Sequence, residues 1–152
     1  MREIGHFIGG REVAGASGRY ADVFQPMTGD VIGRVALASR AELRAAVENA
    51  KAAQPGWAAT NPQKRARVLM KFLDLCNRDY DALAELLARE HGKTIPDAKG
   101  DLQRGLEVVE FACGIPHLLK GEFTEGAGPG IDMYSMRQPL GVVAGITPFN
   151  FP

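Results

Sequence analysis

The 152-residue sequence contains little cysteine, tryptophan or histidine, no excess of either charge and no long apolar run. Two cysteines cannot build the framework of a disulfide-rich domain. The 18 basic residues are matched by 18 acidic ones, which argues against a nucleic-acid-binding or membrane-binding surface. The apolar runs are too short to span a bilayer, and residues 1–5 lack signal- or transit-peptide features. We therefore expect no nucleic-acid or membrane partner, and a cytoplasmic or mature matrix protein.

Side chains suited to metal or thiol chemistry are few and dispersed. Cys76 and Cys113 fall on the apolar faces of predicted helices, where a cysteine usually behaves as a small hydrophobic residue and not as a reactive thiol. None of the histidines, which are His6, His91 and His117, stands at a metal-ligand spacing from another histidine or cysteine. The sequence therefore predicts no metal site and no catalytic thiol among these residues.

The first 36 residues predict short strands joined by turns. Residues 6–8 and 11–13 flank Gly9-Gly10 and form a predicted hairpin, because glycine supplies the positive φ of such turns. Strands are also predicted at Val23-Phe24 and at 31–35, on either side of a Pro-Met-Thr-Gly-Asp turn.

Three helical regions follow, each with terminal signals. Ser39 and Glu42 form a predicted capping box, and Pro55-Gly56 is expected to end the first helix, with Trp57 packing against it. The second region opens at Asn61-Pro62, has an expected break near 77–79, and closes at Gly92. The third begins near Pro96 and is expected to end at Gly114 and Pro116.

The last 30 residues predict a turn and two different strands. The glycine-rich stretch 126–130 lacks the Lys-Ser/Thr pair of a phosphate-binding loop, so we interpret it as a turn. Residues 131–137 alternate apolar and polar, which is typical of a half-exposed strand. The apolar run 141–147 favours a strand buried on both faces of a parallel sheet. One such strand cannot satisfy its own backbone, so we expect the chain to be part of a larger α/β protein.

The segment with the most chemical information is Pro148-Phe149-Asn150-Phe151-Pro152. Two prolines restrict the backbone around Asn150 and two aromatic rings flank it. An amide donor already aimed at a developing negative charge lowers a reaction barrier with little reorganisation. The alternative is a turn asparagine that hydrogen-bonds to its own backbone. The residues alone leave both interpretations open.

This pentapeptide is similar to the Pro-Trp/Phe-Asn-Phe-Pro signature of the aldehyde dehydrogenase superfamily. Two further stretches, 23–33 and 90–94, resemble that superfamily's Asn-Pro-Ala-Thr-Gly turn and its Glu-x-Gly-Lys segment, although Gln25 and Met27 depart from the commonest residues. The resemblance covers nearly the whole chain. It implies an aldehyde dehydrogenase fold, with residues 1–130 as hairpins and helices of the cofactor-binding domain, 131–140 as a strand of the oligomerisation sheet, and 141–152 as the first buried strand and its loop.

Residues 103–116 and 133–146, together with Phe149, resemble the branch of the superfamily that oxidises malonate and methylmalonate semialdehyde with NAD and coenzyme A. The resemblance implies that Asn150 donates to the thiohemiacetal oxyanion and that Thr147, Phe149 and, more weakly, Ile146 line the NAD site. Arg104 is then a candidate for the substrate carboxylate, which a guanidinium can bind through two hydrogen bonds. The alternative for Arg104 is a solvated position on a helix face.

The resemblance also implies what these residues do not provide. The superfamily's nucleophilic cysteine, its Lys-Pro-Ser-Glu segment and its cofactor-binding glycine motif have no counterpart here, and neither cysteine stands in the nucleophile's context. We therefore expect the chain to be inactive alone. The resemblance also implies that the full-length enzyme is a homo-oligomer. The alternatives are another aldehyde dehydrogenase, hydrolytic or CoA-acylating, or a non-catalytic interaction fragment.

Overall fold

The structure, a computed structural model, describes residues 1–152. Short strands open and close the chain, and helices occupy its middle. The strands are β1 (Arg2–Ile4), β2 (His6–Ile8), β3 (Arg11–Val13), β4 (Tyr20–Phe24), β5 (Val31–Ala36), β6 (Phe123–Gly128) and β7 (Ile131–Tyr134). The helices are α1 (Arg40–Ala59), α2 (Pro62–Arg78), α3 (Tyr80–His91), α4 (Ile95–Cys113) and α5 (Ile115–Leu118).

The N-terminal strands form a sheet and a separate hairpin. β5 lies between β1, which is parallel to it, and β4, which is antiparallel and bulged at Val23/Phe24. β2 and β3 pair antiparallel, and the turn residues Gly9 and Gly10 have φ values of 62° and 78°. The predicted hairpin is therefore confirmed, because two successive positive φ angles are the geometry that this tight turn requires.

Helix α1 begins at the predicted capping box. The Ser39 hydroxyl accepts from the Glu42 N–H, and the Glu42 carboxylate accepts from the Ser39 N–H at 2.7 Å. The same carboxylate accepts a 2.6 Å hydrogen bond from the Ala16 N–H, in the segment before β4. The bonds from Ala16 and Ser39 lower the Glu42 pKa from 4.5 to about 2. Glu42 thus caps α1 and fastens the N-terminal strands to it.

The predicted end of α1 at Pro55-Gly56 is wrong. The helix continues through Pro55 to Ala59, and Trp57 lies in its last turn with 48% of its surface exposed. Pro55 removes one intrahelical N–H donor, and a helix of 20 residues tolerates that loss here. The helix ends where Thr60 turns extended, ahead of the strong start signal Asn61-Pro62.

The predicted caps at Asn61 and Gly92 are present. The Asn61 side chain accepts from the Gln63 N–H at 2.8 Å, the helix breaks at Asp79, and Gly92 ends α3 in the left-handed region with φ 86°. Thr94 then caps α4. Both α2 and α3 pack against α4, and the buried residues at these helices are small or medium-sized: Ala66, Ala84, Ala98 and Leu106. Small side chains let helix backbones approach closely, so this is the core that positions α4.

The end of α4 is predicted in part. The helix does end at Gly114, but Pro116 lies inside the short helix α5. A proline is tolerated there because the N–H groups of a first turn have no intrahelical partner.

The glycine-rich stretch before residue 131 is mostly strand, not turn. β6 and β7 form an antiparallel hairpin, and only Pro129-Gly130 turns. Gly126, at φ 64°, lies in a register shift, where its N–H donates to the Asp132 carboxylate at 2.9 Å. The glycines therefore mark a bulge within a strand. The predicted strand at 131–137 is confirmed in its first part, since β7 ends at Tyr134.

Residues 141–147 do not form the predicted buried strand. No residue of this run pairs with another strand, and its apolar side chains are exposed, with Ile146 at 99%. A parallel strand needs neighbours on both sides for its hydrogen bonds, and none of the strands formed within 1–152 lies beside it. The assignment of the ranges 1–130, 131–140 and 141–152 to separate parts of the fold remains a prediction. None of the helices combines the length and apolarity needed to cross a membrane.

Candidate active site

The loop Pro148–Pro152 lies against the junction of α3 and α4. The Lys93 ammonium donates a 2.7 Å hydrogen bond to the backbone carbonyl of Asn150 and forms an ion pair with Asp101. It also lies 4.5 Å from the centroid of the Phe151 ring. One cation therefore contacts a helix carboxylate, a loop carbonyl and an aromatic face.

Local sequence explains how Lys93 reaches that position. Gly92 adopts a left-handed conformation that ends α3, and Thr94 starts α4, so Lys93 belongs to a sharp connection between two helices. Asp101 stands seven residues beyond Thr94, about two turns into α4 and on the same side. Only 16% of the Lys93 side chain and 9% of the Asp101 side chain are exposed. The ion pair is therefore largely shielded from water.

The Asn150 side chain is exposed and forms no hydrogen bond within the chain. The loop's own turn is closed by a long contact of 3.4 Å, from the Phe151 N–H to the Pro148 carbonyl. A turn asparagine of the alternative interpretation would bond its side chain to neighbouring backbone, and Asn150 does not. Its backbone is held by Lys93 while its amide stays available to another molecule.

The aromatic ring before Asn150 borders an apolar cleft. Phe149 and Pro152 line it from the loop. Helix α3 supplies the rest of the lining: Leu83, Leu86, Leu87, Glu90 and His91. His91 Nδ1 is buried without a hydrogen-bond partner. This cleft could accept an apolar or aromatic group beside Asn150, since apolar side chains dominate it.

The other candidate residues are not drawn into this cluster. Ile146 and Thr147 precede the loop and are exposed, with no side-chain hydrogen bond. Arg104 stands one turn beyond Asp101 on α4, its side chain 77% exposed and its nearest acid Glu107 at 3.9 Å. That geometry leaves the Arg104 guanidinium free to bind an incoming carboxylate. It equally fits a solvated helix-face arginine, so the role of Arg104 stays a prediction.

Two residues of the cluster, Lys93 and Asp101, have no role in the sequence-based prediction. Lys93 falls within the family-like Glu-x-Gly-Lys segment, which was the only available signal. Its partner Asn150 is 57 positions away in the sequence. No local pattern reports a contact of that range.

Neither Cys76 nor Cys113 lines the cleft beside the Asn150 loop. Cys113 ends α4 twelve residues beyond Asp101, which corresponds to about 18 Å along the helix axis. Cys76 is half-buried near the end of α2. Both are free thiols within helices.

The sequence is similar to proteins of one known family. Residues 13–152 match the Aldehyde dehydrogenase family. The malonate-semialdehyde dehydrogenase of Pseudomonas aeruginosa is 50% identical over 152 residues, all of this chain and 30% of its own length. The acylating mitochondrial methylmalonate-semialdehyde/malonate-semialdehyde dehydrogenase of Homo sapiens is 45% identical over 146 residues, 96% of this chain and 27% of its own.

A solved structure extends the likeness to three dimensions. An NAD complex of a Sinorhizobium meliloti protein, assigned as a methylmalonate-semialdehyde dehydrogenase, superposes with a TM-score of 0.95 at 71% identity. The match covers 100% of this chain and 31% of that one, so the chain spans about a third of the length of such relatives. The predicted α/β fold class is confirmed by this match, and the chain belongs to the aldehyde dehydrogenase family.

Proposed function

We propose that this chain supplies the oxyanion-binding asparagine and part of the NAD site of a CoA-acylating dehydrogenase. The proposed reaction converts methylmalonate or malonate semialdehyde, with NAD and coenzyme A, to propanoyl-CoA or acetyl-CoA, carbon dioxide and NADH. The relatives named above support the substrate class and NAD. The single observation that carries the proposal is the free amide of Asn150 on a backbone held by Lys93.

The role of Asn150 follows from the charge that develops during attack on an aldehyde. A thiolate that adds to the carbonyl carbon leaves the oxygen as an oxyanion. The Asn150 NH2 group can donate to that oxygen more strongly than to the neutral carbonyl, which stabilises the transition state more than the bound substrate. In this proposal the thiolate comes from a residue outside 1–152, because neither Cys76 nor Cys113 lines the cleft beside the loop.

The residues proposed for the NAD site are Thr147, Phe149 and Ile146. The Phe149 ring is 90% exposed and the Ile146 side chain 99% exposed. Both offer apolar surface to a planar ring system, so they fit the nicotinamide cofactor. Thr147 adds a hydroxyl and a backbone carbonyl that can orient it. When bound, NAD would accept the hydride from the thiohemiacetal carbon. Coenzyme A is proposed as co-substrate, and no residue is assigned to it.

The location and assembly of the full-length enzyme are likewise proposals. The cytoplasm is proposed, with the mitochondrial matrix as the alternative because the human relative is mitochondrial. The ribbon of β6 and β7 has two unpaired edges, and the side chains of β7 are exposed along its length. These edges support a homo-oligomer built through a shared sheet, which the sedimentation of the full-length enzyme would test.

The experiment for the reaction is a product analysis with the full-length enzyme. We expect NADH and propanoyl-CoA to form together from methylmalonate semialdehyde when NAD and coenzyme A are present. Mass spectrometry of the quenched mixture identifies the thioester. Formation of free methylmalonate in its place would make the enzyme hydrolytic and overturn the acylating part of the proposal.

The proposed role of Arg104 makes a separate prediction. Arg104→Leu in the full-length enzyme should raise the Michaelis constant for malonate semialdehyde and spare propanal, which has no carboxylate. Arg44→Leu, an exposed arginine on α1, is the matched control and should change neither. Steady-state kinetics with both substrates checks this. Equal losses for the two aldehydes would assign Arg104 a structural role.

A further inference from the structure

We propose that Lys93, held by Asp101, is a positioning residue that aims the Asn150 amide by fixing the backbone of its loop. This inference rests on the proposed function of Asn150. It adds two residues outside the pentapeptide to the proposed active site: Lys93 at the α3–α4 junction and Asp101 on α4.

The contacts of the ammonium carry the argument. An ammonium group has three donors and a single positive charge. Here one hydrogen bond goes to the Asn150 carbonyl at 2.7 Å, the charge is balanced by Asp101, and the Phe151 ring covers another side at 4.5 Å. Every partner outside α4 belongs to the loop. Lys93 is therefore the direct connection between α4 and the backbone of Asn150.

The prolines of the loop do not restrict the backbone of Asn150 itself, and the hydrogen bond from Lys93 does. Pro148 and Pro152 restrict their own φ angles and the residues just before them, Thr147 and Phe151. Neither proline restricts the φ and ψ of Asn150 itself. Anchoring the Asn150 carbonyl orients the peptide plane that follows its Cα, and the direction of the Cα–Cβ bond is thereby constrained.

Shielding makes the connection stronger than an exposed ion pair. The two side chains are only 16% and 9% exposed, and charge-assisted hydrogen bonds in such surroundings are about twice as strong as neutral ones. Burying an ion pair is a poor way to gain stability, since desolvation offsets the attraction. This shielded pair also holds the Asn150 carbonyl, so its role is better explained by the backbone geometry that it imposes on the loop.

The role is positional because the Lys93 ammonium contacts the main chain of Asn150 and not its side-chain amide. The Asn150 side chain takes no part in the Lys93 cluster. Displacing a catalytic group by about 1 Å can cost about a hundredfold in rate. Losing Lys93 should therefore slow the step that Asn150 serves and leave that step's chemistry unchanged.

The test compares Lys93→Met with Lys99→Met in the full-length enzyme. Lys99, on α4, is the matched control, because it likewise pairs with an aspartate, Asp81 at 2.7 Å, beside an aromatic ring, Tyr80. We expect Lys93→Met to lower the pre-steady-state rate of NADH formation by about ten- to a hundredfold. NAD affinity should fall by a smaller factor than this rate, because Phe149 belongs to the same loop, and Lys99→Met should leave both unchanged. An unchanged rate in Lys93→Met would overturn the inference.

A double-mutant cycle separates positioning from general structural damage. If Lys93 acts through Asn150, Lys93→Met should cost almost nothing further in an Asn150→Ala background. Full additivity of the two losses would overturn the inference while leaving the role of Asn150 intact. No loss in Asn150→Ala alone would instead overturn the proposed function. These two failures are therefore distinguishable.

A conservative variant covers the case in which Lys93→Met does not fold. Lys93→Arg keeps the charge and can still pair with Asp101, but its planar donors meet the Asn150 carbonyl differently. We expect a folded enzyme with a loss of NADH formation rate between wild type and the Asn150→Ala level. A wild-type rate in Lys93→Arg, with the Asn150→Ala loss present, would show that the geometry of the hydrogen bond to the Asn150 carbonyl does not set the rate, and would contradict the positioning role.

Discussion

Asn150→Ala in the full-length enzyme is expected to lower the rate of the acylation step by about a hundredfold to a thousandfold, or roughly 3–4 kcal/mol, the usual effect of removing one oxyanion donor. The reason is that the amide is free and its backbone is already held, so the donor needs little reorganisation when charge develops. NAD affinity should change much less, because the lost interaction is made mainly in the transition state.

Pre-steady-state NADH formation is the appropriate measurement, since steady-state turnover can report a later step. Asn150→Asp provides a second comparison and should be at least as damaging, because a carboxylate would face the developing negative charge. An Asn150→Ala burst rate within about threefold of wild type, combined with a lower melting temperature, would support the turn-asparagine interpretation.

The isolated 152-residue chain is expected to produce no NADH from malonate semialdehyde with NAD and coenzyme A. It holds Asn150, but neither Cys76 nor Cys113 lines the cleft beside it, and Cys113 lies about 18 Å along α4 from Asp101. Covalent catalysis on the aldehyde is therefore not available to it. The assay follows NADH absorbance against a heat-killed control, and turnover above that control would contradict the prediction.

The same chain should also behave poorly in solution. Large apolar side chains such as Leu140, Val143, Ile146 and Phe149 are 71–99% exposed, and the β6–β7 ribbon has open edges. Size-exclusion chromatography should show aggregates or a chaperone-bound species. A sharp monomer peak with cooperative thermal unfolding would show that these residues form a self-sufficient domain.

The parts of the fold that were predictable are those set by neighbouring residues. The Gly9-Gly10 hairpin, the Ser39/Glu42 capping box, the Asn61-Pro62 start and the Gly92 cap each depend on a few adjacent positions, and all occur in the structure. Such signals act through local hydrogen bonds and φ preferences, so the sequence contains them directly.

The errors arose where tertiary context outweighs a local signal. Pro55 and Gly56 are strong helix breakers, yet α1 absorbs them and continues. Gly126 and Gly128 favour a turn, yet they serve a bulge in β6 because β7 offers a partner. The apolar run 141–147 has the composition of a buried strand, but strand formation needs neighbours that it does not have here.

The candidate site divides in the same way. Asn150 was predicted as a site residue because the pentapeptide is proline-bracketed and similar to a family signature. Lys93 and Asp101 were not assigned roles, since an ordinary lysine and an ordinary helix aspartate become significant only when folding brings a distant carbonyl to them. The sequence could therefore suggest Asn150 as an oxyanion donor, which stays a prediction, whereas it could not show which residues hold the Asn150 backbone.

The contact between Lys93 and Asn150 joins residues 57 positions apart. Closing a flexible loop costs conformational entropy that grows with the logarithm of its length, and this cost precedes any gain from the bond that closes it. The helices between the two residues shorten the flexible part of the chain, so the formation of α4 lowers the entropy cost of closing the loop. The orientation of Asn150 is therefore a property of long-range chain closure. A free peptide with the sequence Pro-Phe-Asn-Phe-Pro would carry the same amide without its direction.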